Sequence, residues 1–210
     1  MPCLLDPTAW ATTTFATARL GDARRARRLV SIAGALAANP SASLPAAIGN
    51  PAGLKATYRL LHASDVTVDA LTAPVRSQTL ATAGTEPVVL LVQDTTEVDY
   101  TRHRATTDLG PIGNGGGQGY LLQSVLALTP ETPAHARRVL GLAHLEPFLR
   151  VPRPKRKEST AERRQRARES DVWGRAANAI GSPPETSTWV HVGDRGADLS
   201  AFMQVCQQNA

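Results

Sequence analysis

Apolar residues recur at a helical period in the first third of the 210-residue chain. The clearest case runs from Ala23 to Ala38, where apolar side chains return every three or four residues. Asp22 precedes this stretch and can accept hydrogen bonds at its N-terminus. The same spacing predicts a first short helix with Trp10 and Phe15, and another helix over 52–62.

A further helix is predicted from about Thr67 to Thr82, and Asp65 could cap it. The segment between Asn39 and Pro51 is predicted to be a loop. The helical part of the chain is therefore expected to end near Gly84.

The period changes after Pro87. Val88–Val92 is five consecutive apolar residues, a run typical of a strand that is covered on both faces. A second strand over 97–100 is predicted to follow a bend. The glycine-rich stretch 109–119 lacks the Gly-Lys-Ser/Thr of a phosphate-binding loop, and a flexible connector is the favoured interpretation.

The remaining elements alternate between strands and helices. A long strand over 120–129 is predicted to pair with an antiparallel strand over 138–146, and Pro130–Pro133 supplies the turn. Then come a helix over about 160–180, a strand over 189–192 and a helix from about Leu199. The chain is thus predicted to be an α/β protein with a helical domain at 1–84 and an α/β domain at 85–210.

The chain is basic, with a net charge of +5 and a pI near 9.8, which favours a polyanionic partner. Four arginines lie in the first turns of the helix that starts at Ala23, although a helix N-terminus prefers anions. They either have an external partner or form a solvated basic face, and spacing alone leaves both open. These residues are Arg24, Arg25, Arg27 and Arg28.

A second basic run extends from Arg150 to Arg168. It suits contact with a phosphate backbone, and for Arg153 to Lys157 the alternative of a solvated loop and helix face is at least as strong. Cys3 and Cys206 lie too far apart for a metal-binding motif and suit a reducing cytoplasm. No apolar run approaches 18 residues and no leader pattern is present, so we expect a soluble cytoplasmic protein without a membrane partner.

Two aspartates, Asp94 and Asp194, follow apolar strands and lie one hundred residues apart. If the two strands are parallel neighbours, both carboxylates emerge at one edge of the sheet. Hard oxygen ligands there select Mg²⁺ or Mn²⁺, which can support phosphodiester chemistry. The alternative is that each aspartate only caps a turn or the helix that follows it.

Other polar residues are weaker candidates, because none of them ends a long apolar strand. Asp99, Asp108 and Asp198 rank below the pair, and Asp198 could cap the last helix. His191 alternates with two valines near Asp194 and could face the same site.

Several segments, in order along nearly the whole chain, resemble the Tn5-like branch of the IS4 transposase family. Any one of them is a weak signal, and their shared order is specific. They are Trp10-Ala11 with Phe15 and Leu20-Gly-Asp-Ala-Arg-Arg-Ala-Arg-Arg-Leu-Val30; Lys55-Ala-Thr-Tyr-Arg-Leu60; Gln93-Asp-Thr-Thr96; Leu109-Gly-Pro-Ile-Gly113 with Leu122-Gln-Ser-Val-Leu-Ala127; Arg168-Glu-Ser170 with Trp173; and Val192-Gly-Asp-Arg-Gly-Ala-Asp198.

The resemblance implies a helical domain that binds double-stranded transposon ends, followed by an incomplete RNase H-like mixed β-sheet core with flanking helices. It makes Asp94 and Asp194 the first two metal ligands and catalytic residues of a DDE site that uses Mg²⁺ or Mn²⁺. It also implies DNA contacts by Arg24, Arg25, Arg27 and Arg28 and by Lys55 and Arg59. Relatives dimerise on DNA and cut and rejoin strands, which places the protein at the nucleoid.

The sequence departs from the family pattern after Asp194. The third ligand of the family is a Glu in a Tyr-Arg-x-x-x-Glu helix, and these 210 residues contain no such motif. Gln123 stands where many relatives carry His, and Gly196 where many carry Glu. We therefore expect a truncated core with little or no catalysis.

Two further hypotheses follow. The chain could be a non-catalytic DNA-binding module that occupies transposon ends or inhibits the full-length enzyme. It could also be a basic structural or regulatory protein without catalytic ancestry, and Asp94 and Asp194 on strands that are not neighbours would favour that interpretation.

Overall fold

The computed structural model describes residues 6–133, 135–150, 159 and 168–210. Its helices and strands form a mixed α/β fold that divides into two compact units between Gln78 and Thr79. We refer to the residues before and after this point as the helical unit and the sheet unit. The helices that begin in the helical unit are α1 (Pro7–Phe15), α2 (Ala23–Ala38), α3 (Leu44–Ile48), α4 (Pro51–Leu61) and α5 (Val68–Ala83).

The sheet unit follows α5. Its described residues form β1 (Val88–Asp99), β2 (Gly110–Ile112), β3 (Gly117–Leu128), β4 (Val139–Phe148), α6 (Asp171–Ile180), β5 (Thr188–Val192), a 3₁₀ turn (Arg195–Ala197) and α7 (Ser200–Gln208). The described part of the chain has no helix that is both long and apolar enough to cross a membrane.

Polar caps set the starts of the helices in the helical unit. The Asp22 carboxylate accepts from the backbone N–H of Arg24 at 2.7 Å, as the sequence predicts for α2. Asn50 caps α4 by accepting from the N–H of Gly53 at 2.6 Å. The apolar sides of these helices meet in a core that includes Leu20, Ala26, Ile32 and Leu60.

The expected cap of α5 is wrong. The Thr67 hydroxyl accepts from the N–H of Ala70 at 3.1 Å, whereas Asp65 pairs with Arg25 at 3.0 Å. The predicted loop before Pro51 contains the short helix α3. Five residues carry too little periodicity to reveal such a helix in the sequence.

The turn before α2 requires glycine. Gly21 has a φ of +76°, and a Cβ atom there would lie 3.1 Å from Asp65 Oδ2 and 3.2 Å from Arg25 Nη1. A larger residue would strain the backbone and crowd this ion pair. The segment Leu20-Gly-Asp22 is therefore needed to form the turn and the cap before α2, whether or not it also contacts a ligand.

The five strands form one mixed sheet. β3 is antiparallel to β1 on one side and to β2 and β4 on the other, while β5 is parallel to β1. The predicted pairing of the strands near 120–129 and 138–146 is confirmed. β1 is one continuous strand, so the expected bend before Glu97 is wrong, and β2 with the start of β3 replaces the expected flexible connector.

The two faces of this sheet have different environments. One face, the covered face, carries Val89, Leu91, Val125 and Ala127, which are fully buried against the end of α5 and against α6. The other face, the open face, carries Leu126, Val190 and Val192, whose exposures are 42%, 42% and 37%. Alternation along a strand explains this division, since neighbouring residues point to opposite sides. The expectation that Val88–Val92 is covered on both faces is therefore wrong, since Val88 is 37% exposed.

Candidate functional site

Asp94 lies within β1, and Asp194 lies two residues beyond the end of β5, the parallel neighbour of β1. β1 and β5 pair in a register that places Val92 opposite Val192. Asp94 and Asp194 each follow two residues after this last pair, so both lie toward the same edge of the sheet. This arrangement disfavours the hypothesis of a protein without catalytic ancestry, which predicted strands that are not neighbours.

Asp94 is exposed on the open face. It is paired across the sheet with Ser124 and lies two residues beyond Val92, on the same side of β1. Its carboxylate has no hydrogen bond or ion pair within residues 6–133, 135–150, 159 and 168–210. Both of its oxygens are therefore available to a ligand from solution.

Asp194 already has one structural task. Its Oδ1 accepts from the backbone N–H of Gly196 at 2.7 Å and caps the 3₁₀ turn that follows β5. The alternative that Asp194 caps a turn is therefore confirmed. This bond fixes the carboxylate just after β5, and Oδ2 has no hydrogen bond or ion pair to any residue that the structure describes, so capping and ligand binding are compatible.

The pair suits a hard divalent cation in chemical type. Carboxylate oxygens are ligands that Mg²⁺ and Mn²⁺ prefer, and Mg²⁺ retains several waters beside one or two carboxylates. Across the described ranges, no three His, Cys, Asp or Glu side chains converge as a potential metal cluster. Asp94 and Asp194 would therefore hold an ion as two protein ligands completed by water.

The weaker carboxylate candidates serve other purposes. Asp99 accepts from the N–H of Thr101 at 2.7 Å, and hydrogen bonding by Thr101 lowers the pKa of Asp99. Asp108 is in a left-handed turn with a φ of 57°. The N-cap position of α7 is Leu199, with no side-chain cap, so the expected capping role of Asp198 is wrong.

A chain of buried polar groups crosses three strands behind the aspartates, on the covered face. The Thr95 hydroxyl donates to Gln123 Oε1, Gln123 Nε2 donates to Gln93 Oε1 at 3.0 Å, and Gln93 Nε2 donates to His191 Nδ1 at 3.0 Å. Gln123 is fully buried. Each amide satisfies its neighbour, as buried polar groups must, and the chain ties β3, β1 and β5 together.

His191 does not face the aspartates. It pairs with Leu91 across the sheet and packs edge-on against Phe202 of α7, with ring centroids 6.0 Å apart. Burial lowers its pKa, and acceptance of a hydrogen bond at Nδ1 also requires the neutral ring. The expectation that His191 faces the site is wrong because its position in the alternation is that of Leu91, not of Asp94.

The four arginines of α2 divide into two kinds. Arg24 forms an ion pair with Asp22 at 2.8 Å, and this bonding lowers the pKa of Asp22 to about 2. Arg25 binds both the Leu20 carbonyl at 2.9 Å and Asp65 at 3.0 Å. These two side chains stabilise the start of α2.

Arg27 and Arg28 are exposed, and within the described residues no carboxylate pairs with either of them. They are the members of the cluster whose charge is fully available to a partner. The structure gives Arg24 and Arg25 partners within the protein, and both alternatives stay open for Arg27 and Arg28.

One side of α4 forms a cationic and aromatic surface. Lys55, Tyr58, Arg59 and His62 are exposed at a spacing of three to four residues, which places them on one side of the helix. They line a shallow groove of about 460 Å³ together with Pro51 and Leu54. Sequence analysis identified Lys55 and Arg59 and missed Tyr58 and His62, although the helical spacing could have joined them.

The basic run after Arg150 lies mostly outside the described residues, which omit 151–158 and 160–167. Arg150 itself binds Glu169 at 2.7 Å and Glu97 at 3.1 Å. Its guanidinium also donates to the Gly113 carbonyl at 3.2 Å. Arg150 therefore joins three segments of the sheet unit rather than offering a free charge to phosphate.

The comparison with known families concerns the helical unit. Residues 7–66 match the model of the family described as "Transposase DNA-binding". The matched range begins with α1, includes α2, α3 and α4, and contains Arg27, Arg28 and the exposed side of α4. The match supports the interpretation that this protein is a transposase with a DNA-binding role, and that its partner is DNA.

Proposed function

We propose that this chain is an IS4-family, Tn5-like transposase protein that binds double-stranded transposon-end DNA through its helical unit. In this proposal the sheet unit is an RNase H-like core, and Asp94 and Asp194 are its first two metal ligands. The observation that carries the proposal is the parallel pairing of β1 and β5, with Asp94 and Asp194 each two residues after the last pair, in a chain whose residues 7–66 match the "Transposase DNA-binding" family model.

The strand order supports the RNase H-like part of the proposal. Three antiparallel strands, β4, β3 and β1, are followed in the sheet by the parallel strand β5, which the chain reaches through α6. Parallel strands bring their carboxyl ends to one edge, where ligands of α/β folds gather. This topology makes β1 and β5 neighbours although they are about one hundred residues apart in sequence.

A bound Mg²⁺ or Mn²⁺ would supply the activation of a water and the neutralisation of phosphate charge. The chain's own contribution would be two carboxylates toward one edge of the sheet, with Asp194 fixed by its turn and Asp94 exposed. No Tyr-Arg-x-x-x-Glu motif follows Asp194 within the 210 residues. We therefore expect weak metal binding by two ligands and little or no strand cleavage by these residues alone.

The DNA-binding part is tested by charge removal on the exposed surface. Lys55→Gln with Arg59→Gln, or Arg27→Gln with Arg28→Gln, should weaken binding to duplex transposon-end DNA and reduce its salt dependence. The matched control is Arg24→Gln, because Asp22 already pairs with Arg24. Fluorescence anisotropy over a salt series measures both quantities, and equal affinities for all variants would contradict the proposal.

A second candidate is a non-catalytic DNA-binding protein that occupies transposon ends or inhibits a full-length transposase. It is supported by the surface of Lys55, Tyr58, Arg59 and His62, which contains no part of the carboxylate pair. In a strand-transfer assay with a full-length relative, the chain should inhibit in proportion to its end occupancy. Inhibition that persists after Asp94→Asn but disappears after Arg59→Gln would favour this candidate.

Dimerisation on DNA and location at the nucleoid are also proposals, and they follow from the resemblance to the transposase family.

A further inference from the structure

We propose that Tyr100 and Tyr120 form a stacking platform for an unpaired nucleobase, on the same sheet face as Asp94. The inference rests on the proposed function, because it places a nucleic-acid strand along the open face of the sheet unit. It adds a ligand class, single-stranded nucleic acid next to a duplex, and two residues that the motifs of the chain do not assign.

The register places the two tyrosines in line with the aspartate. Val98 pairs with Tyr120, and Asp94 pairs with Ser124, so all four side chains lie on the open face. Tyr100 continues the same alternation two residues after Val98. Four residues of strand separate the level of Asp94 from that of Tyr120, a distance of about 14 Å at roughly 3.4 Å per residue.

The aromatic rings form a cluster with suitable geometry. The rings of Tyr100 and Tyr120 are stacked, with centroids 5.7 Å apart and an interplanar angle of 28°. His103 packs against Tyr100 with centroids 5.3 Å apart. Both tyrosines are partly exposed, and aromatic surface of this kind stacks with bases of any sequence. Partial burial and a hydrogen bond with Tyr100 raise the pKa of Tyr120, so the phenol stays neutral near pH 7.

The backbone holds the cluster in place without a ligand. The N–H of Tyr100 donates to the Gln118 carbonyl at 2.8 Å, and the N–H of Gln118 donates to Thr101 Oγ1 at 2.9 Å. Gly119 allows β3 to pass closely, since a Cβ atom there would clash with the Val98 carbonyl oxygen. A platform that is rigid before binding costs less ordering entropy when a base stacks on it.

Polar and cationic groups complete a path for a strand. The hydroxyl of Ser124 lies at the level of the Asp94 carboxylate, and the hydroxyl of Thr96 lies between that level and the tyrosines, on the same face. Arg102 and Arg104 are exposed in the turn after β1, and the described ranges contain no ion pair to either of them. Arginines beside stacked aromatics are the combination that binds single-stranded nucleic acid. Bases inside a duplex stack on each other, so the platform fits a strand that leaves the duplex.

The experiment compares blunt duplex DNA with the same duplex carrying a six-nucleotide single-stranded tail. We expect the parent chain to bind the tailed duplex about tenfold more tightly, because one stacked base contributes roughly 1–3 kcal/mol. Tyr120→Phe should keep this ratio and Tyr120→Leu should reduce it to about one. The matched control is Tyr58→Leu on α4, which should change both affinities by the same factor.

The outcomes separate the platform from the proposed function. Blunt-duplex binding without any gain from the tail would overturn the platform and leave the proposed function standing. If the parent chain does not bind the blunt duplex but binds the single-stranded tail alone, and Tyr120→Leu removes that binding, only the proposed function is overturned.

A second measurement covers the possibility that Tyr120→Leu does not fold. In the folded parent, 2-aminopurine at successive tail positions should show quenching that peaks at one position. Equal fluorescence at every position would overturn the platform.

Discussion

The two faces of the sheet differ in what covers them and in the side chains they carry. The covered face has Val89, Leu91 and Val125 with no exposure, together with the hydrogen-bonded amides of Gln93 and Gln123. The open face has partly exposed valines and leucines near Asp94 and the tyrosine pair. Along each strand, residues that stabilise the core thus alternate with residues that can contact a ligand. A shift of one residue in register would exchange the two sets of side chains.

The largest expected effect is in the apolar core of the covered face. Leu91→Ala should lower the free energy of unfolding by about 2–5 kcal/mol, because it leaves a cavity in a fully buried cluster. Val190→Ala on the open face should cost less than about 1 kcal/mol, since Val190 is 42% exposed. Urea denaturation of both variants measures the difference, and equal losses would contradict the assignment of faces.

The next effect concerns the buried amides. Gln123→Leu should cost about 1–3 kcal/mol, because it leaves Gln93 and Thr95 without their partner. The neighbouring change Ser124→Ala removes a hydroxyl from the open face and should stay within about 0.5 kcal/mol. The same urea series serves as the measurement, and a larger loss for Ser124→Ala than for Gln123→Leu would refute the account of this network.

Acidification should destabilise the covered face through His191. Burial lowers the pKa of His191 in the folded protein, so the unfolded chain takes up the proton first, at its ordinary pKa of 6.5. The free energy of unfolding should therefore decrease as the pH falls below about 6.5. His191→Gln keeps an acceptor for Gln93 but removes the titration, and its stability should fall less between pH 7 and pH 5. Identical pH slopes for parent and variant would show that His191 titrates equally in both states.

The smallest effect is expected at the carboxylates themselves. Like charges at one edge of a sheet repel, so Asp94→Asn should raise the free energy of unfolding by roughly a few tenths of a kcal/mol without metal. Thermal unfolding at low ionic strength measures this change. A loss of stability would indicate that Asp94 has a structural role that its exposed position does not suggest.

The sequence predicts the helices and strands that have a regular apolar pattern, and it identifies Asp94 and Asp194 as the best candidate pair of metal ligands. The period of α2 and its Asp22 cap were sufficient to place that helix, and the apolar runs placed β1 and β5. Spacing could not predict that β5 pairs with β1 in the register 92 to 192, because register depends on contacts made through the whole sheet. His191 was assigned to the wrong face for the same reason.

Charge patterns were informative about partners but not about individual residues. The cluster from Arg24 to Arg28 looked uniform, yet Asp22 and Asp65 neutralise two of its members. Asp65 is forty residues away from Arg25, and a local reading of the sequence assigned it to the cap of α5 instead. The tyrosine platform was missed because Tyr100 and Tyr120 meet only through strand pairing.

Titration with Mn²⁺, followed by electron paramagnetic resonance, tests the central claim most directly. The parent should bind the ion weakly, and Asp94→Asn and Asp194→Asn should each weaken binding at least tenfold. Asp99→Asn should bind like the parent, because Asp99 lies five residues beyond Asp94 and on the other side of β1. Mn²⁺ affinities that are the same for the parent and for all three variants would contradict a metal site at Asp94 and Asp194.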